Sequence, residues 1–449
     1  MTREKFKKFM CQGHGRCAIV LQSEGDIEKY KNIVLWGCRN DLSFDRQCEG
    51  TRAAYVYSLS SYFNDAEYFL FPTIAEFEKK QSYSSAKFNH LVDLLAKFAE
   101  NGYSQAKIAL EKKYDFLFDC LLKKRRFARY DYERDAFEAI CITLYSLGGA
   151  DALLKIVSDL GRLLRENSHY TIDEFDWLLV VIEGGEGKKG LSSLLGKKAK
   201  NDVNIACFYQ CYLNHKNVKY YANQGASDEI PSADDLKRGI YDNSLRYIDR
   251  VIFMRHASES EKNRLAQMII DEPDSEVKAK MLSMLSFGDA ICLLPHGKII
   301  EYSRSANFSL RDAALSVLAK CRSQEVREYA LELLENDEHR ASVIKILIAN
   351  YTTSIKDLLL TELEKIKIDY SDECAWHEIG CEILGAHEYG VSLPKEFFLY
   401  IYNNTLCSYC RERALKALAR RRALTSDIIE ECRYDCNADI ASYVSKRQK

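Results

Sequence analysis

The sequence predicts an all-α protein, an α-solenoid of stacked antiparallel helix pairs. Three observations carry that prediction. Long segments place apolar residues at i, i+3, i+4 and i+7, the spacing of one helix face. Alternating β-branched runs, the mark of strands, are few. Only five prolines and 21 glycines are present, and they read as punctuation at the ends of periodic segments.

The chain has 449 residues, more than the roughly 250–300 that one compact core supports. Two or more domains, or one elongated stack, are implied. The predicted helices run in order over 26–37, 49–63, 65–80, 84–101, 103–125, 131–147, 149–166, 172–183, 201–214, 233–256, 258–271, 274–286, 309–321, 324–336, 339–350, 353–366, 374–385, 395–404, 408–421 and 426–435. Each is drawn where the apolar spacing persists and ended where glycine, proline or polar clusters interrupt it. Residues 1–48, rich in Gly and Cys, read as a cap segment, followed by a divergent helical-repeat region over 49–220. The Gly, Ser, Asp and Pro residues of 221–232 read as a linker loop, with Ser232 or Asp234 placed to cap the next helix. Residues 233–449 form the second helical-repeat region.

One nine-residue frame recurs in that region. Leu310–Leu318, Cys410–Leu418, Val326–Leu334 and, more loosely, Val277–Leu285 read apolar, basic, two variable, small, apolar, two variable, apolar. The first, fifth, sixth and ninth positions share one helix face, the small fifth admits a neighbouring helix, and the basic second starts the solvent side. Tyr132–Ile140 and Thr51–Leu59 are weaker copies. These segments resemble the helices of HEAT and armadillo-type repeats, whose period is about 40–47 residues. The resemblance implies helix pairs stacked into a curved solenoid with a long concave binding surface. It implies a fold and not a function.

Sixteen cysteines in a chain without a visible export signal imply thiols in a reducing compartment. The apolar run Ala18–Leu21 is too short for a signal-peptide core, and the longest, Trp177–Ile182, is far below the ~20 residues of a membrane span. A cytoplasmic protein without membrane partners is expected. Charge is balanced, with 64 basic against 66 acidic residues, which argues against a general polyanion binder.

Four clusters hold chemistry worth weighing. Cys11-x2-His14-x2-Cys17, with Cys38 and Cys48 later, offers zinc ligands, and Gly13 and Gly15 would let the chain wrap an ion. Cys407-x2-Cys410 with Cys432-x3-Cys436 has the look of a four-cysteine zinc site. Cys374, His377, Glu378 and Cys381 fall short of the His-Glu-x-x-His metalloprotease signal, because position 381 is Cys, and read as a core face. In all three, buried thiols are expected in place of metal, so no cofactor is expected and chelation should leave the melting temperature nearly unchanged. The fourth, Gly184–Gly190, lacks the register of a phosphate-binding P-loop and reads as an inter-helix loop.

The run Lys123, Lys124, Arg125, Arg126, Phe127, Arg129 and Tyr130 interleaves cations with aromatics, as a nucleic-acid contact would. Arg411, Arg413, Lys416 and Arg420–Arg422 make a second basic helix. Both lie near helix C-termini, where cations are favoured in any case. The nine histidines are scattered and no catalytic constellation emerges. A non-catalytic scaffold or adaptor for a protein partner is therefore expected. The alternative is a nucleic-acid-binding solenoid similar to the alkylpurine DNA glycosylases built from HEAT-like repeats, although none of their catalytic residues maps onto this chain.

Overall fold

The structure, a computed structural model, describes residues 1–44, 49–79, 85–124, 132–217, 230–286, 293–334, 339–366 and 373–447. Every regular element among them is helical. The chain divides into two compact units. The first is Met1–Tyr220 together with Leu406–Tyr409 and Leu424–Lys449. The second is Tyr221–Thr405 together with Cys410–Ala423.

The first unit opens with α1 (Arg3–Gln12), α2 (Arg16–Ser23) and α3 (Glu28–Cys38), so the Cys- and Gly-rich start is helical from its third residue. It continues through α4 (Ala53–Ser60), α5 (Ala66–Glu78), α6 (Ser85–Glu100), α7 (Ser104–Lys123), α8 (Tyr132–Glu166), α9 (Asp176–Glu186), α10 (Lys188–Lys198) and α11 (Val203–Asn217). Helix α8 is central and packs on α6, α7, α9 and α11. Its Phe137, Ile140, Leu153 and Leu160 are fully buried, and the Phe137 ring lies 5.0 Å from that of Tyr114 on α7. By length and composition α8 is apolar enough to cross a bilayer. Its backbone breaks at Gly149 (φ 56°, ψ −137°), which splits it into two pieces each shorter than the ~20 residues of a span.

Several boundaries differ from expectation. Pro72 sits inside α5, at the loss of one helical hydrogen bond, so proline is not confined to segment ends. The expected loop 184–190 shrinks to a break at Gly187 between α9 and α10. The helix expected over 233–256 is two, α12 (Ala233–Tyr241) and α13 (Tyr247–His256), separated by a turn with Asn243 at φ 51°. Most of the 221–232 stretch lies outside the described residues, but Ser232 caps α12 in a reciprocal box with Asp235.

The second unit then runs through α14 (Glu259–Asp271), α15 (Ser275–Met284), α16 (His296–Ser303), α17 (Phe308–Leu318), α18 (Gln324–Leu333), α19 (Arg340–Ala349), α20 (Lys356–Lys365), α21 (Glu373–Glu388) and α22 (Lys395–Asn404). It ends with α23 (Ser408–Arg420) from Cys410 onward. Helices α15, α17, α19 and α21 pack one on the next, while α16 and α17, α18 and α19, and α21 and α22 pair as sequence neighbours. The nine-residue frame explains the row. Leu310, Ala314, Leu315 and Leu318 are all buried, as are Val277, Met281, Leu282 and Leu285, and Cys410, Ala414, Leu415 and Leu418. In the fourth copy Val326 and Ala330 are buried, while Leu331 and Leu334 are half-buried.

The basic second position does not simply begin the solvent face. Lys278, Arg311 and Arg327 are half-buried, and Arg411 is fully buried. Lys278 lies over the Tyr302 ring at 4.8 Å and Arg311 over Phe308 at 5.8 Å. Long stems cover apolar surface while the charged heads reach outward, which the spacing alone does not reveal. The C-terminal α24 (Ser426–Cys432) and α25 (Ala438–Lys446) belong to the first unit, where α24 packs against α2.

Candidate functional site

Among the described residues the N-terminal cysteine and histidine set does not gather around a point, and Cys48 lies outside them. Helix α1 ends at Gln12, Gly13 turns in the left-handed region (φ 69°), and α2 starts at Arg16. The Cys17 thiol donates to the Phe6 carbonyl at 3.4 Å, inside the core, and burial pushes it well above the usual thiol range. His14 Nδ1 accepts from the Arg16 amide at 3.3 Å, and Tyr55 donates to the His14 carbonyl at 2.8 Å. Gly13 and Gly15 serve another purpose than wrapping an ion. A Cβ on Gly13 would stand 2.2 Å from Cys436 Sγ, and one on Gly15 only 1.8 Å from the Glu431 carbonyl oxygen. The bare backbones let the 431–436 segment lie against this turn, sealed by the Cys436 amide donating to the Gly13 carbonyl at 2.9 Å. Cys432 and Cys436 are thus occupied in the first unit, with Cys432 fully buried.

Of the basic run, Arg125, Arg126, Phe127, Arg129 and Tyr130 lie outside the described residues. Lys123 stands 3.8 Å from Asp119, and Lys124 pairs with Glu133 at 2.8 Å. The second basic helix uses much of its charge internally. Arg411 is buried, and Arg413 grips Glu388 with two contacts of 3.1 and 2.8 Å. Lys416 pairs with Glu412 at 2.5 Å, and the Arg421 guanidinium lies 4.4 Å over the Phe398 ring. Arg420 and Arg422 remain exposed.

Three donors do converge in the second unit. His377 and Cys381 sit one turn apart on α21, so their side chains share a face, and Cys410 on α23 meets them. His377 Nε2 lies 3.6 Å from Cys381 Sγ and 3.4 Å from Cys410 Sγ, and the two sulfurs are 3.8 Å apart. Cys410 is buried, while His377 and Cys381 are half-buried. The Cys381 thiol is held down to about 5, first by the hydrogen bond from Cys410, then by His377 and the nearby Arg413 charge, against its own burial. Glu378, the neighbour that a metalloprotease reading would use, is exposed and pairs with Lys345 instead. Cys374 lies outside the described side chains. The core-face expectation therefore accounts for only part of this surface: the face carries a thiol–imidazole cluster. Both halves are visible in the sequence as His-x3-Cys and Cys-x2-Cys, but their pairing is not.

A second group escaped the sequence altogether. In the first unit His215 lies between two carboxylates, with Nδ1 2.6 Å from Asp173 and Nε2 3.4 Å from Asp176. His215 lies about forty positions beyond the two aspartates, so no local pattern marks the set. Both ring nitrogens face a carboxylate.

No family model matches the chain, and no curated protein does. Among solved structures, a chain of a homology model of the full-length AP-3 complex in an intermediate open conformation is similar at 11% identity and a TM-score of 0.22. The match covers 96% of this chain and 78% of that one. A likeness so slight carries no argument about fold or function.

Proposed function

We propose that the chain is a non-catalytic α-helical scaffold, a solenoid of HEAT-like helix pairs that binds a protein partner along its concave face. The row of α15, α17, α19 and α21, each carrying sequence neighbours beside it, is the packing such a stack requires. The observation that supports a protein partner is a set of large apolar side chains left in solvent. On α9, Trp177 is 65% exposed and Val180, one turn on, is 54% exposed. Exposed tryptophan of this kind is the residue type that anchors protein interfaces. In the second unit Tyr247, Phe308 and Tyr389 are exposed to a similar degree.

The nucleic-acid alternative is weakened by the second basic helix, since Arg411, Arg413, Lys416 and Arg421 are buried or paired within the molecule. Paired cations release few counterions and give little affinity for phosphate.

The test compares quantitative affinity enrichment by the wild-type chain with that by Trp177→Ala/Val180→Ala. The expected result is loss of a reproducible protein set at an unchanged melting temperature. Identical enrichment by both would remove this surface from the proposal. Binding of a short duplex that survives about 150 mM salt, where the Debye length is ~8 Å, would favour the nucleic-acid reading instead.

A further inference from the structure

The contact between α21 and α23 is unusual in what it is made of. The repeat helices before it bury mainly Leu, Ala, Val and Ile. Along this seam the groups that meet are Glu388 with Arg413, His387 with Arg421, and His377 and Cys381 with Cys410. Two ion-pairing or stacking contacts explain themselves. Two thiols and an imidazole at mutual contact do not, because thiols are weak donors and gain little from one another.

Their spacing fits a different bond. Zinc takes thiolate sulfur at about 2.3 Å and imidazole nitrogen at about 2.0–2.1 Å in tetrahedral geometry. Those lengths at the tetrahedral angle put two sulfurs about 3.8 Å apart and sulfur and nitrogen about 3.6 Å apart. The observed edges are 3.8 Å for sulfur to sulfur, and 3.6 and 3.4 Å for sulfur to nitrogen. The three atoms outline one face of a zinc tetrahedron.

We propose that His377 Nε2, Cys381 Sγ and Cys410 Sγ bind a structural zinc ion that fastens the last helix of the second unit to α21. On binding, each ligating cysteine gives up its thiol proton to solvent, and His377 coordinates as neutral imidazole. No oxidant or reductant takes part. Of the thiols that the sequence favours as buried, Cys410 is buried and Cys381 half-buried. The scaffold proposal does not depend on the metal, nor the metal on a protein partner, so either can fail alone.

The experiment uses the full chain, purified under reducing conditions without chelator. Elemental analysis is expected to give about one zinc per chain. Cys381→Ser, Cys410→Ser and His377→Gln should each lower that several-fold, while Cys120→Ser, at a half-buried thiol of the first unit, should not. Because a variant can lose metal by misfolding, cobalt(II) is also added to the metal-stripped wild type. Tetrahedral ligand-field bands with thiolate charge transfer are expected, displaced by one equivalent of zinc. Metal-free protein that gives no such cobalt spectrum would overturn the proposal. So would full zinc retention in Cys381→Ser. A Cys381–Cys410 disulfide in the protein as purified, seen as a loss of two hydrogens by mass spectrometry, would overturn it in favour of a redox pair.

Discussion

Cys11-x2-His14-x2-Cys17 and His377-x3-Cys381 both set an imidazole among thiols within a few residues, and the richer of the two is the one that disperses. The first straddles a helix end. Its thiols and ring are carried by α1, the turn at Gly13 and the start of α2, where Cys17 turns to the Phe6 carbonyl and His14 to the Arg16 amide. The second lies on one continuous helix, where a spacing of four stacks the side chains on one face. A third donor then arrives from α23. The comparison teaches that ligand spacing predicts convergence only when the backbone between the ligands is known. A glycine-rich turn, which looks accommodating to an ion, is as useful for admitting another piece of chain.

The largest effect that would sharpen the contrast is metal removal. Stripping zinc from the loaded protein is expected to cost the second unit on the order of 5 kcal/mol. Hydrogen exchange on α21 and α23 should rise while α1 and α2 stay protected. Equal loosening of both regions, or of neither, would break the comparison.

Next comes Arg52, which supports the dispersed cluster. Its side chain and that of Glu49 are both 2% exposed and 2.7 Å apart. It also donates to the Cys11 and Leu406 carbonyls. Arg52→Met should destabilise the first unit by about 3–5 kcal/mol, because Glu49 is left charged and buried. Denaturant titration measures this, and zinc content should not change.

Gly15→Ala should cost about 2–3 kcal/mol through overpacking against the Glu431 backbone. It should free the 431–436 segment, which limited proteolysis detects. Were Gly15 a metal-loop glycine, the same change would alter metal content and leave that segment protected.

The smallest effect is a pH slope confined to the first unit. His90 is fully buried, with Nε2 3.0 Å from the Gly37 carbonyl, and burial holds its pKa below the usual histidine value. The unfolded chain therefore takes up a proton first as pH falls. The stability that His90 contributes is complete above about pH 6.5 and declines below it, by at most about 1.4 kcal/mol per pH unit. His90→Gln should flatten the first unit's melting profile between about pH 5 and 6.5.

Much of the fold is legible without coordinates because its causes are local. The 3.6 period places Leu310, Ala314, Leu315 and Leu318 on a common face, and all are buried. Ser232 is recognisable as a cap, and the break expected after residue 147 falls at Gly149. Short helices fared worse. Those over Arg3–Gln12, Lys188–Lys198, His296–Ser303 and Ala438–Lys446 give too few turns for a period to stand out. The solvent placement expected for the basic second residue of the frame also missed, because Arg411 is wholly buried, and burial depends on what packs above a residue.

The sequence by itself determined that this chain is helical, where its strongest faces lie and which residues are suitable as metal ligands. Only the tertiary structure decided which donors meet. It turned Cys17 onto Phe6, set the 431–436 segment against Gly13 and Gly15, and brought Cys410 to His377 and Cys381. The physical reason is range. Helix propensity, capping and periodicity act within a few turns. A ligand cluster or a glycine contact is made by residues dozens to hundreds of positions apart, and is selected by how whole helices pack.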